Sequence, residues 1–163
     1  MSNPKKRYRG LPMTDLVSLA AMLTNLGDYH VLVAISIAFA LVVRPGDVRP
    51  LVLTLGAIVL VTALKTHFAV PRPPGATAGG YAFPSGHATV SLVTYASIAL
   101  LEDRSIGWRT TIAALLGSSI ALTRVIIGVH YWSDIIAGLL LATAVLGLAF
   151  GLSRYLKPKF THD

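Results

Sequence analysis

The chain of 163 residues sets 14 Lys and Arg against 7 Asp and Glu, a formal net charge of +7, with 54% hydrophobic and only 13% charged residues. A soluble domain carries about 25% charged residues and reaches roughly 45–50% apolar only with glycine counted in. That balance excludes disorder, a nucleic-acid-binding arm and an ordinary cytosolic enzyme, and it reads as a membrane protein. Cysteine is absent, which removes disulfide frameworks, thiolate nucleophiles and cysteine-ligated metal centres.

Residues 1–10 are basic through Lys5, Lys6, Arg7 and Arg9. Pro12 and Asp15 then interrupt the stretch where a cleavable signal would need a clean apolar run. Leu11 to Leu26 mixes apolar residues with Asp15, Ser18, Thr24 and Asn25, so it either crosses the membrane or lies at its surface. Five apolar stretches follow, near residues 29–43, 51–66, 87–101, 110–129 and 135–152. The first three give roughly 23–25 Å of helix at 1.5 Å per residue, against a hydrocarbon core of about 30 Å. Each must borrow a turn from its flanks or sit in a locally thinned bilayer; the last two suffice alone. The expected fold is all-α, a polytopic membrane bundle of five or six transmembrane helices. Its organisation is a basic cytoplasmic amino terminus (1–10), one membrane domain (11–156) and a cytoplasmic tail (157–163).

Basic residues orient such a bundle. Arg44, Arg49, Arg104, Arg109, Arg154, Lys157 and Lys159 all fall on one face, read as cytoplasmic, and the basic amino terminus prefers the same side by having Leu11 to Leu26 cross. The opposite, outer face carries residues 67–86 and 130–134. Within the first of these, Val70 to Pro84 holds four Pro and three Gly, a composition of loops that are either functional or disordered.

Ionisable groups at bilayer edges are costly and read as functional by default. Three sets meet helix ends on the outer face: Lys65 with Arg72-Pro73; Pro84-Ser85-Gly86-His87; and Thr123-Arg124 with His130 and Asp134. A phosphate ester needs fixed donors for its oxygens as charge develops. Lys65, Arg72 and Arg124 supply three cations, two of them able to bind in a fork. Ser85 and Gly86 stand where a helix begins, and its unpaired N–H groups make an anion site. His130 and Asp134, four apart, share one face of a helix; the carboxylate would fix the imidazole tautomer and leave the other ring nitrogen basic. That suits a histidine attacking phosphorus, with His87 protonating the leaving oxygen. Metal is not required, because cations stand where a magnesium ion would and no carboxylate cluster exists to hold one. His30 and His162 read as interfacial residues, His67 reads equally as interfacial or as part of the site near Lys65, and Gly147-x3-Gly151 as a spacing that permits close helix packing.

The ordered blocks Lys65-x6-Arg72-Pro73, Pro84-Ser85-Gly86-His87 and Arg124-x5-His130-x3-Asp134 resemble the three-part signature of the type 2 phosphatidic acid phosphatase superfamily. That superfamily holds lipid phosphate phosphatases, prenyl pyrophosphate phosphatases, soluble acid phosphatases and vanadium haloperoxidases. The resemblance implies His130 as nucleophile, Asp134 as its orienting partner and His87 as general acid. It implies Lys65, Arg72, Ser85, Gly86 and Arg124 as phosphate ligands, with neither metal nor other cofactor. The third block opens with Thr123-Arg124 where Ser-Arg is usual, and threonine keeps the hydroxyl. The implied activity is hydrolysis of a terminal phosphate from a lipid phosphate or pyrophosphate at the outer face of a bacterial inner membrane. Undecaprenyl pyrophosphate is the first substrate to consider, then phosphatidylglycerophosphate, phosphatidic acid or lipid A. Competing readings are a vanadate-dependent haloperoxidase, disfavoured by the strong hydrophobicity, and a non-catalytic binder of anionic lipids. The partners implied are substrate and membrane lipids, with no nucleic acid and no assigned oligomer.

Overall fold

In the computed structural model, residues 13–103 and 107–155 are described, the last few by backbone alone. The basic residues of segment 1–10, Arg104, Lys157, Lys159 and the 157–163 tail lie outside the described residues. Helices α1 (Met13–Thr24), α2 (Tyr29–Ala38), α3 (Arg49–Phe68), α4 (Gly86–Asp103), α5 (Trp108–Ile126) and α6 (Trp132–Tyr155) follow in order, and no strand occurs among the described residues. A 3-10 turn at Asn25–Gly27 joins α1 to α2, and α2 ends in a π-helical turn at Phe39–Val43.

The boundaries follow local chemistry. At 20 residues, α3 is longer than the apolar run that predicts it. Pro50 fits its first turn, where a missing N–H costs nothing, and Lys65 and His67 prolong its last. By contrast α5 stops at Ile126, short of the expected Val129. Gly128 adopts φ +74°, and the N–H groups of Val129 and His130 fold back onto the Arg124 carbonyl at 3.0 and 3.2 Å. This turn sets His130 beside Arg124.

Two helices, α3 and residues Trp132–Gly151 of α6, are each long and apolar enough to cross a membrane. The α1–α2 pair, bent by 50° at its break, adds a third if it forms one span. The 110–129 stretch was expected to suffice alone, yet α5 is not among these helices: Arg109, Arg124 and its Ser and Thr residues dilute its apolar content.

Helix α4 is the centre of the bundle, packed by α2, α3, α5 and α6. Its Ala88, Val90, Val93 and Ala96 are buried with Leu32, Ala57 and Ala142 of its neighbours. Most hydroxyls inside this core find partners, as buried polar groups generally do, although Ser91 Oγ of α4 has none among the described residues. Ser36 meets Thr54 at 3.0 Å and Thr54 meets Thr94 at 2.8 Å, linking α2, α3 and α4. Thr89 donates to the Gly138 carbonyl of α6 at 3.1 Å. Gly117 lets α5 close on α4, since a Cβ there would lie 3.0 Å from the Leu92 Cα.

The helix ends sort by face. Glu102, at the foot of α4, pairs with Arg44 at 2.8 Å and approaches Arg109 at 3.9 Å. His87 lies at the other end of α4. With it stand the last turn of α3, the end of α5 and the start of α6, which carry Lys65, Arg124 and Asp134.

Candidate active site

These ends enclose a hollow of about 400 Å³ lined by Asp28, Tyr29, His30, Lys65, Arg72, Gly86, His87, Arg124 and His130. Six of the eight sequence-predicted residues are therefore gathered on one wall-to-wall surface, and both histidines face the same space.

The loop after α3 is tied down by its own cations. Lys65 Nζ donates to the carbonyls of Tyr81 at 2.6 Å and Ala82 at 3.0 Å, which spends two of its three donors. Arg72 Nε donates to the Gly79 and Gly80 carbonyls at 3.0 and 3.2 Å. Its Nη1 reaches across to the Val129 carbonyl at 2.8 Å and lies 3.1 Å from His130 Nε2. A guanidinium can only donate. His130 Nε2 is thus the bare, accepting nitrogen, and the ring proton sits on Nδ1.

That proton faces Asp134. His130 Nδ1 donates to Asp134 Oδ2 at 3.0 Å, and the Tyr131 backbone N–H donates to the same oxygen at 2.9 Å. Sequence spacing placed the pair on one helix face. In the structure His130 lies in the turn before α6, and Asp134 in the helix's first turn reaches back to it. The reason is ordinary: the free N–H groups at a helix start draw a carboxylate. Asp134 is 1% exposed. Burial holds the His130 imidazole below its ordinary value of 6.5, to about 4; the Asp134 hydrogen bond opposes this, while Arg72 and Lys65 add to it.

Arg124 is buried, and its Nη1 donates to Thr24 Oγ1 of α1 at 2.8 Å. Its Nε is buried with no hydrogen-bond partner among the described residues. An unpaired buried charged donor is costly, and the residue that carries it also lines the hollow. Gly86 opens α4 directly under Tyr29; a Cβ there would collide with the Tyr29 hydroxyl. Ser85 does not line the hollow. It is fully buried, its Oγ turned toward the Ala88 N–H at 3.5 Å and its own N–H bound to the Asp134 carbonyl at 2.9 Å.

Four contributors escaped the motif blocks. Asp28 Oδ1 lies 3.1 Å from His87 Nε2, Tyr29 and His30 line the hollow, and Thr24 holds Arg124. His67 instead stacks edge-on against Phe68, with ring centroids 5.0 Å apart. Among the described residues no three His, Asp or Glu side chains converge as a metal centre requires. The arrangement is one for holding a tetrahedral anion between three cations with a basic imidazole nitrogen beside it.

The family model described as PAP2 superfamily matches residues 47–158, and the chain belongs to that superfamily. Its apolar helices make it an integral membrane protein. Among solved structures it is similar to the crystal structure of a transmembrane PAP2 type phosphatidylglycerolphosphate phosphatase from Bacillus subtilis. The TM-score is 0.77 at 22% identity, over 93% of this chain and 82% of that one. At that identity the likeness is one of fold. No curated protein sequence matches the chain significantly.

Proposed function

We propose that the protein is a metal-independent lipid phosphatase that removes a terminal phosphate through a phosphohistidine intermediate. The observation that carries this reading is the state of His130: Nδ1–H given to Asp134, and Nε2 bare at the rim of a cationic hollow. Phosphate oxygens take the free N–H of Arg124, the guanidinium of Arg72, the remaining Lys65 donor and the N–H groups opening α4. His130 Nε2 then attacks phosphorus, the P–O bond breaks, and its electron pair leaves with an oxygen protonated by His87. Water next attacks the phosphohistidine, giving its proton to His87 and freeing His130. Ser85 acts here by shaping the start of α4.

A hollow of about 400 Å³ admits a headgroup and leaves the tail in the bilayer. Undecaprenyl pyrophosphate is the first substrate we propose, at the outer face of a bacterial inner membrane. Phosphatidylglycerophosphate is the second reading, favoured by the fold likeness to a phosphatase of that lipid. We also infer five crossings by α2 to α6, whose directions alternate, with α1 at the surface or as a sixth.

The test is phosphate release by purified protein from undecaprenyl pyrophosphate, phosphatidylglycerophosphate and phosphatidic acid, with and without a metal chelator. Turnover that survives chelation and vanishes in His130→Ala is the expected result. A folded His130→Ala protein that stays active overturns the mechanism, and a wild type inactive on every lipid overturns the function.

A further inference from the structure

The motif blocks provide an orienting carboxylate for His130 and none for His87, although an acid must keep its proton among cations. The fold places one there. Asp28 immediately precedes α2, where an aspartate ordinarily accepts the helix's free N–H groups. Its carboxylate makes no such cap bond, and Oδ1 instead lies 3.1 Å from His87 Nε2. The junction that carries it is pinned against α4 and α5 at three points. Thr24 accepts from Arg124 at 2.8 Å, and the Leu26 carbonyl accepts from the Tyr95 hydroxyl at 2.8 Å. Gly27 packs so closely that a Cβ would lie 2.8 Å from His87 Cδ2.

We propose that Asp28 is the positioning residue of His87: it accepts the Nε2–H, fixes the ring and supplies the countercharge of the doubly protonated imidazole. The proposal rests on the phosphatase reading above. Around His87 stand Tyr29 from α2, Arg124 from α5 and Arg72 from the loop after α3, with Asp28 at the α1–α2 junction. Burial and both arginines oppose an imidazolium; Asp28 is the carboxylate that favours it. With Nε2 held, the Nδ1 proton passes to the leaving oxygen as the P–O electron pair departs, and His87 is left neutral. Water returns that proton in the hydrolysis of the phosphohistidine.

An alkoxide leaves readily only with a proton, whereas p-nitrophenolate leaves without one. The experiment therefore compares dioctanoyl phosphatidic acid with p-nitrophenyl phosphate in the wild type, Asp28→Asn, Asp28→Glu and His87→Ala. Asp28→Asn should lower kcat for the lipid ester about a hundredfold, in the range of general acid catalysis, with KM within about threefold. Its loss on the aryl ester should be at least tenfold smaller, His87→Ala should show the same split, and Asp28→Glu should recover part of the lipid activity. The ratio of the two activities is taken within one sample, so a partly unfolded variant does not distort it. Equal losses on both esters, or a change confined to KM, overturn the proposal and leave Asp28 a structural or headgroup contact. A wild type that hydrolyses neither ester overturns the underlying phosphatase reading instead.

Discussion

Asp134→Asn separates charge from shape at the proposed nucleophile, His130. Both hydrogen bonds to the Asp134 carboxyl group fall on Oδ2, while Oδ1 has no partner among the described residues. An asparagine can put its carbonyl oxygen at Oδ2 and its amide at Oδ1, so His130 and Tyr131 keep their acceptor. What disappears is the negative charge that balances the ring as it becomes cationic in the proposed phosphorylation. At 3.0 Å and an effective dielectric of about 20, that attraction is at most about 5.5 kcal/mol. The amide dipole retains part of it, leaving a loss of about 3–5 kcal/mol, or roughly 10²–10⁴ in kcat. The flipped amide gives no escape. An N–H group facing Nδ1 would force the proton to Nε2 and silence the nucleophile. The assay is kcat at saturating lipid phosphate, with the melting temperature in the same detergent as control. A folded Asp134→Asn protein whose kcat stays within tenfold of the wild type would refute the reasoning.

Two further outcomes follow from the structure. Because burial holds His130 near 4, its basic form persists as pH falls through 6; the acidic limb of kcat/KM should lie close to pH 4–5, and a limb at the ordinary histidine value near 6.5 would contradict the buried geometry. Gly117→Val meets the Leu92 backbone at 3.0–3.2 Å, which cannot yield like a side chain. It should cost about 1–3 kcal/mol as a lower melting temperature, whereas Gly147→Ala, with open space around it, should be neutral or slightly stabilising; equal effects would show that α4 and α5 are not closely packed.

Much of the site was legible because charge is conspicuous in so apolar a chain. Lys65, Arg72, Arg124, His87, His130 and Asp134 each break a hydrophobic background in which few polar groups survive without purpose. Asp28 breaks it equally, and the same rule could have singled it out. It was passed over because its partner lies 59 positions away and only the packing of the α1–α2 junction on α4 brings the two together. Thr24, 100 positions from Arg124, was hidden for the same reason. Local spacing also misled. His130 and Asp134 meet across a turn and a helix start, and the Ser85 hydroxyl serves its own helix. The helical pattern located every helix that packs around α4. Span counting was harder, because α4 and α5 carry hydroxyls that the bundle, not the lipid, satisfies.

Arg49 opens α3 in a fork with Asp47, at 2.8 and 2.6 Å, and Lys65 follows 16 positions later in the same helix. That span rises about 24 Å, several ångströms short of the roughly 30 Å between headgroup layers. In the phosphatase proposed above, with Arg49 level with one headgroup layer, the reacting phosphorus would sit slightly below the level where the opposite headgroups rest. On that reading hydrophobic mismatch would control the reaction: longer acyl chains in the host lipid would deepen the step a headgroup must descend, and shorter ones would bring the cationic floor up to meet it.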